Sequence, residues 1–180
     1  MISVGDDRIN HDISCESQIL GLKPIYLDSL ILPKLDSNDV LIHHFAYSMV
    51  YDNVHEQSKW VCYKISKAFE PGIYKRTNSF KKDPLVLEGS ASHSDYKGSG
   101  YDRGHLAPAA DMTWSELAMK ESFYYSNMSP QTASFNRGIW KRLESTVRRW
   151  GTEFDSLYVT TGPVLIDSLD FIGSGVAVPN

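Results

Sequence analysis

The sequence predicts an α+β fold, and three local patterns lead to that prediction. Residues 60–65 alternate apolar and polar side chains, as a half-buried strand does. Residues 113–116 have the capping-box pattern, Thr followed three positions later by Glu, that begins a helix. Residues 136–150 repeat apolar side chains at the spacing of an amphipathic helix. With 180 residues, 42% of them hydrophobic, the chain is long enough for one domain with its own core and too short for two.

The first half of the chain contains the strand signals. Apolar runs at 40–42 and 45–51 precede the alternating segment, so we expect three strands in this part of the chain. Residues 1–30 have only weak periodicity and are expected to form an arm. Residues 88–100 are rich in Ser, Gly and Asp, which predicts a loop that leads into the segment 102–108.

Two helices are expected in the second half. The first begins at Thr113 and runs to about Ser122, and a short strand is expected after it at 123–128. The second spans 136–150 and is followed by Gly151, in the position just after a helix where glycine is common.

The second of these helices has an apolar stripe when its residues are placed about 100° apart. The side chains of the stripe are Ile139, Trp140, Leu143, Val147 and Trp150. We expect the stripe to face the core, with Asn136 pointing the same way from the first turn. Glu144 and Arg148 lie one turn apart along one edge of the stripe. The helix would therefore present an amide and a carboxylate–guanidinium pair near the strand that contains residues 103–105.

Residues 102–108 read Asp-Arg-Gly-His-Leu-Ala-Pro and combine a cation with a titratable base. In an extended segment, Arg103 and His105 point to the same face, and Gly104 between them allows a backbone or a phosphate to come close. A guanidinium can hold an anion while a neutral imidazole takes a proton from water. The segment therefore suits chemistry on a phosphodiester, although it is not specific by itself.

Charge is distributed unevenly along the chain. The net charge is −4, but residues 61–149 carry fourteen Lys or Arg and nine Asp or Glu, a local balance of +5. This basic segment contains the motifs above. Phosphate binding needs a local positive surface, because screening limits the field of a distant charge to about 10 Å. Charge runs also solvate helix faces, so the balance alone does not decide the function.

Composition argues against several other classes of protein. The chain has no run of 18 apolar residues, so we expect no transmembrane helix and no membrane partner. No signal peptide is visible at Met1–Asp7, so the protein is intracellular or, if a leader was removed, secreted or periplasmic. Cys15 and Cys62 allow at most one disulfide and lack the spacing of a zinc site. No motif that reads bases is present.

Further motifs occur after residues 102–108 in a recognisable order. They are Phe123-Tyr124-Tyr125-Ser126-Asn127, Phe135-Asn136-Arg137-Gly138-Ile139-Trp140-Lys141-Arg142-Leu143-Glu144 and Tyr158-Val159-Thr160-Thr161-Gly162-Pro163. With them, the chain resembles the DNA/RNA non-specific endonucleases, the endonuclease G-like group with a ββα-metal active site. The resemblance runs from about Leu32 to the end, which implies an N-terminal arm at 1–31 and an endonuclease domain at 32–180. It also implies a central, mostly antiparallel sheet that bears a ββα-metal element.

The resemblance implies roles for particular residues. His105 would be the general base, with Arg103 beside it, and Asn136 would hold a largely hydrated Mg²⁺ or another divalent cation such as Mn²⁺. Glu144 would bind the waters on that metal. The residues expected to contact substrate are Arg76, Arg148 and Asn127.

Three of these residues have simpler explanations that the sequence leaves open. Asn is a preferred helix N-cap, so Asn136 could serve only that purpose. Glu144 and Arg148 could form only a surface ion pair between helix turns. Asp102 is expected to orient neighbouring backbone rather than to bind metal.

The function implied is metal-dependent hydrolysis of phosphodiester bonds in DNA and RNA, without sequence specificity because contacts to phosphate carry no sequence information. Two alternatives are a nucleic-acid-binding module that does not cleave and a phosphodiesterase of this fold that acts on a small molecule. In this family the run at 173–180 leads into further strands. We therefore expect a C-terminally incomplete domain that is poorly stable alone, or that depends on self-association or on another chain to cover an exposed edge.

Overall fold

The computed structural model describes residue 27, residues 31–69 and residues 72–179. Its largest element is a four-stranded antiparallel sheet made of β1 (Leu41–His43), β2 (Tyr47–Asp52), β3 (Gln57–Ser66) and β6 (Ser156–Thr161). The strand order is β1-β2-β3-β6, so the longest strand, β3, is central. The predicted α+β class and antiparallel sheet are confirmed. Nearly all of the predicted arm, with Cys15, lies outside the described residues.

A short helix interrupts the segment that was expected to be a loop. α1 (His93–Tyr96) lies within residues 88–100, so the loop prediction is wrong at these positions. Ser92 and Asp95 explain the helix, because the Ser92 amide and hydroxyl donate to the Asp95 carboxylate at 2.8 and 2.6 Å. These two contacts stabilise a first helical turn in a sequence rich in Ser and Gly.

The helix that was expected to begin at Thr113 starts later than its capping-box pattern predicted. α2 (Glu116–Glu121) has Ser115 as its N-cap, whose hydroxyl accepts from the Ala118 amide. Thr113 instead uses its hydroxyl to accept from the Gly72 amide at 2.9 Å. The Thr113 hydroxyl, which the pattern assigned to the helix cap, is therefore used in a tertiary contact instead.

A second, smaller sheet carries the motif at 102–108. β4 (Asp102–His105) pairs antiparallel with β5 (Met128–Gln131). The strand expected at 123–128 is therefore wrong in position, since Tyr125–Asn127 form a 3₁₀ turn and pairing begins afterwards. Gly104 leaves room for the Gln131 side chain in this ribbon, because a Cβ there would lie 2.1 Å from it.

A long helical segment follows the ribbon. A π-helical stretch (Phe135–Trp140) continues directly into α3 (Lys141–Glu153). Two paired strands and this helix form the ββα arrangement that the resemblance implied. A third small sheet pairs β7 (Asp170–Ile172) with β8 (Val176–Val178).

The face of α3 that packs on the sheet is not the predicted one. Val147 packs against the core, and Gly151 is buried, with a Cβ there falling 2.4 Å from Ile65. Gly151 is thus inside the helix at its contact with β3, and its predicted position after the helix is wrong. Three members of the predicted stripe are exposed: Ile139 (58%), Leu143 (48%) and Trp150 (42%).

Two physical causes explain the rotated helix face. π-helical turns contain more residues than α-helical turns, so an angular count that starts at Asn136 loses phase before α3 begins. In addition, Glu144 and Arg148 turn inward, where Arg148 meets a buried carboxylate. A charged group with a partner can therefore occupy the packed side while apolar side chains remain outside.

The main core lies between the four-stranded sheet and the segments around it. It combines side chains of β2 and β3 with Leu106, Met112 and Leu117. Cys62 is buried and is a free thiol. Within the described ranges, no helix is long and apolar enough to cross a membrane.

Candidate active site

A cavity of about 420 Å³ lies where β4 meets the π-helical stretch and α3. Its lining contains six of the seven residues that the sequence singled out: Arg76, Arg103, His105, Asn136, Glu144 and Arg148. Arg137 and Lys141 add two further cations to the wall. The strand supplies two of these side chains because alternate residues share a face, and α3 supplies two because they are one turn apart.

His105 lines the cavity as a nearly buried ring, 7% exposed. It lies beside Phe80 and Phe123, with ring centroids 5.9 and 5.1 Å away. Burial, followed by the positive charge of Arg76, lowers the pKa of His105 to about 3. The imidazole is therefore neutral at physiological pH. Its Nε2 is buried and has no hydrogen-bond partner among the described residues.

Aromatic rings contact two arginines of the cavity. The guanidinium carbon of Arg103 lies 4.5 Å from the Phe80 ring centroid, and that of Arg76 lies 5.0 Å from the Phe123 centroid. The two rings pack edge to face with centroids 5.0 Å apart. A ring face attracts a guanidinium without neutralising its charge. Both arginines can therefore direct positive charge and N–H donors towards an anion in the cavity.

Asp102 fixes the amide of Asn136. The Asn136 Nδ2 donates to Asp102 at 2.9 Å, and Arg137 donates to the same carboxylate through Nε at 2.7 Å and Nη2 at 2.6 Å. A carboxylate only accepts, so the amide nitrogen must face Asp102 and the amide oxygen is directed elsewhere. The donors, Arg137 first, lower the pKa of Asp102 against the opposing effect of burial. The expectation that Asp102 orients backbone is corrected, since it binds two side chains.

A buried carboxylate organises the opposite wall. Arg148 donates through Nε to Asp111, and Tyr63 donates its hydroxyl to the other oxygen of Asp111 at 3.2 Å. The surface pair of Glu144 with Arg148 is therefore not the observed arrangement, because Arg148 pairs inward. Burial, followed by the charge of Asp111, raises the pKa of Glu144 to about 7, while Arg148 and Arg76 oppose the rise.

Asn127 is not part of the cavity, and its expected contact with substrate is corrected. It is fully buried, and its Oδ1 accepts from the Ala107 amide at 2.8 Å. Its Nδ2 donates to the carbonyl oxygens of Ala107 and Ser122 at 2.9 and 2.8 Å. The amide thus satisfies the backbone that follows His105, which is a structural role. Asn127 positions the end of β4 from behind.

Several residues that shape the site were not predicted from the sequence. Asp111 lies in the mostly apolar run 106–112, and a carboxylate in such a run needs a buried partner, which was an available signal. Phe80 and Phe123 gave no local signal, because their contacts with arginines join segments far apart in the chain. Trp140, assigned to the apolar stripe, also donates its Nε1 to the His105 carbonyl at 3.4 Å, which ties the helix to β4.

Comparison with known proteins identifies the family. A family model described as DNA/RNA non-specific endonuclease matches residues 33–180. The chain belongs to the DNA/RNA non-specific endonuclease family. A crystal structure of the EndoG/EndoGI complex, described as showing the mechanism of EndoG inhibition, superposes with a TM-score of 0.74 at 33% identity. That match covers 82% of this chain and 66% of the other, so it supports both the family and the fold.

Relatives of this family member include named nucleases. Over 123 residues it is 38% identical to "Nuclease EXOG, mitochondrial" of Xenopus laevis, covering 67% of this chain and 34% of the relative. It is 36% identical to human "Endonuclease G, mitochondrial" over 123 residues, covering 67% and 41% respectively. A nuclease of Syncephalastrum racemosum is 37% identical over 133 residues, or 71% and 42%. The match thus spans well under half of the length of these relatives.

Proposed function

We propose that this protein is a metal-dependent endonuclease that hydrolyses phosphodiester bonds in DNA and RNA without sequence specificity. One observation carries the proposal: a single cavity combines a neutral imidazole, a fixed amide, a carboxylate and four arginines. Residues 32–180 are proposed as the endonuclease domain. The names of the relatives support nuclease activity, and the cavity supports the chemistry.

Asn136 and Glu144 fit a hydrated divalent cation. The Asn136 amide is held by Asp102 through nitrogen, so its oxygen is free of that contact and can bind a cation. No group of three or more His, Cys, Asp or Glu in the described part of the chain is arranged to hold a metal ion. Magnesium usually keeps several waters and needs only one or two protein ligands, so a single amide supported by Glu144 suits it. When bound, Mg²⁺ or Mn²⁺ would stabilise negative charge on the leaving oxygen.

His105 is proposed as the general base. Its imidazole is neutral because burial disfavours the protonated form, and it can accept a proton from water as that water attacks phosphorus. Arg103 and Arg76 would hold the phosphate oxygens beside it, and their attachment to aromatic rings would keep them in place. Arg148 would do the same from the opposite wall. These contacts concern phosphate alone, which supports cleavage without sequence preference.

Nicking of supercoiled plasmid DNA with and without EDTA tests the proposal, together with hydrolysis of RNA and of small nucleotide esters. We expect cleavage of both polymers that stops when the metal is chelated. Binding without cleavage in Mg²⁺ or Mn²⁺ would favour the binding-module alternative. Turnover of small esters but not of polymers would favour a small-molecule phosphodiesterase.

We also propose that two copies associate through the outward side of α3 and the neighbouring sheet edge. Ile139, Leu143 and Trp150 are exposed along this side. Among the described strands, β6 pairs only with β3, and its residues 156–161 carry no charge that would oppose pairing with another strand. Where exposed apolar side chains form a contiguous patch, that patch commonly marks an interface. Sedimentation over a wide concentration range would refute the proposal if the protein stayed monomeric throughout.

A further inference from the structure

Asp111 lies behind the cavity wall and touches two residues that face different ways. Its side chain is 1% exposed, and it accepts from Arg148 Nε and from the Tyr63 hydroxyl. Arg148 lines the cavity and keeps 30% of its side chain exposed. Asp111 itself is absent from the lining, although Ala109 and Ala110 of the same 3₁₀ turn belong to it. Asp111 is therefore too deep to touch a substrate.

The contact with Asp111 determines how the Arg148 guanidinium is presented. A guanidinium is a rigid plane with five N–H donors, so anchoring Nε fixes the plane and leaves the four terminal N–H groups for other acceptors. Arg148 is long and flexible without such an anchor. Because Nε is the inner nitrogen, holding it from inside directs the terminal nitrogens outward.

The anchor is itself held from the central strand. Tyr63 lies in β3, is 2% exposed, and binds the Asp111 oxygen that Arg148 does not use. The backbone amide of Asp111 donates to the Pro108 carbonyl at 2.9 Å, which fixes the turn. Each oxygen of the carboxylate thus has one donor. The result is a continuous chain of hydrogen bonds from β3 through Asp111 to the Arg148 guanidinium in the cavity.

We propose that Asp111 is a positioning residue for phosphate recognition, which holds the Arg148 guanidinium so that its terminal N–H groups face the scissile region. This inference rests on the proposed function, and it requires that loss of the Asp111 carboxylate weakens the binding of nucleic acid. A negative charge close to the cavity strengthens binding of a polyanion, which is the opposite of what simple electrostatics predicts. Removing that charge should otherwise improve attraction of nucleic acid.

The first test asks whether removing the Asp111 charge weakens or strengthens the binding of nucleic acid. Asp111→Asn removes one negative charge with little change in shape, and we expect it to weaken binding of a short DNA duplex, measured in EDTA, by about fivefold or more. Asp95→Asn is the matched control, because Asp95 is also a carboxylate with several hydrogen bonds but lies outside the cavity lining. The control should leave affinity unchanged or slightly improved. Binding that tightens in Asp111→Asn would overturn the inference.

A double-mutant cycle is the second test. Asp111→Ala and Arg148→Ala should each reduce kcat/KM, mainly through KM, and the double variant should be no worse than Arg148→Ala, because Asp111 acts through Arg148. Each should also reduce the slope of log affinity against log salt by about 0.9, the value of one phosphate contact. Tyr63→Phe should have a smaller effect in the same direction.

The outcomes separate this inference from the proposed function. Additive losses in the cycle, or a lowered melting temperature with unchanged KM and salt slope, would mean that Asp111 only stabilises the fold. Either result, in a protein that still cleaves DNA, would overturn this inference alone. A wild-type protein that neither binds nor cleaves nucleic acid would overturn both.

Discussion

The two sides of α3 and its π-helical approach differ in a way that reverses the usual pattern of an amphipathic helix. The cavity side carries Asn136, Glu144 and Arg148, and two of these have partnered contacts with buried or half-buried carboxylates. The outward side carries Ile139 and Leu143, about half exposed. A helix normally buries its apolar stripe. Partnered charges can therefore determine which side of a helix faces inward, and here several apolar side chains remain on the outward side.

The strongest test of the cavity side is loss of its base. We expect His105→Ala to reduce kcat by at least ~10²-fold, the lower end for general-base catalysis, and to leave affinity for DNA nearly unchanged because the ring is neutral. Single-turnover cleavage and equilibrium binding would be measured on the same preparation. His55→Ala is a suitable control, since His55 pairs with Asp52 outside the cavity. Equal losses of rate and affinity would contradict the assignment and indicate a structural role.

The amide that faces the proposed metal gives the next largest effect. We expect Asn136→Ala to raise the Mg²⁺ concentration for half-maximal rate by well over ~10-fold, and Asp102→Asn, which loosens the amide, to raise it by about 10-fold. Metal titrations and melting temperatures would be recorded together. An ordinary capping residue would instead cost about 1 kcal/mol of stability and leave the metal response unchanged. That outcome would remove Asn136 from the site.

The raised pKa of Glu144 predicts a pH dependence of stability. Folding raises this pKa from 4.5 to about 7, so between these values the folded state binds a proton that the unfolded state has lost. The free energy of unfolding should therefore fall as pH rises through this window. Glu144→Gln should remove a decline of roughly 1–2 kcal/mol, after allowance for solvent screening of a partly exposed group. Denaturant unfolding at about pH 5 and about pH 8 would measure it. If Glu144→Gln left the change in the free energy of unfolding between the two pH values unaltered, the carboxylate would be solvated in the folded protein.

The smallest effect on stability is expected on the outward side. Leu143→Ser should change the free energy of unfolding by less than about 0.5 kcal/mol, because the side chain is half exposed. Val147→Ala, one turn away on the packed side, should cost roughly 1–2 kcal/mol. Sedimentation should show weaker self-association for Leu143→Ser only. Similar destabilisation by both variants would mean that the outward side is packed in solution.

Much of the candidate site could be predicted from the sequence. The spacing of Arg103 and His105, with glycine between them, already implied a shared face, and Glu144 and Arg148 at helical spacing implied a second pair. All four line the cavity. Their spatial meeting could be expected because the resemblance supplied the order of the elements. Their roles in catalysis stay predictions until the variants above are measured.

Other parts of the site could not be predicted, and the reason is the same in each case. Asn127 matches a family motif, but its complete burial depends on backbone groups twenty residues away. Thr113 fits a capping box, yet its hydroxyl binds the Gly72 amide forty-one residues earlier. Local patterns describe the contacts that a residue can make nearby. A partner that is distant in sequence can replace them at comparable free energy.

The sequence by itself determined the first three strands, the basic character of residues 61–149 and the residue types of the cavity. Only the tertiary structure decided which side of α3 faces inward and how the cavity groups are held. Periodicity gives the angles between residues on one helix, but it carries no information about the neighbouring element. Here the neighbours are Asp102 and Asp111, which bind helix residues 34 and 37 positions later. A buried carboxylate requires a partner, and only the fold brings one within reach.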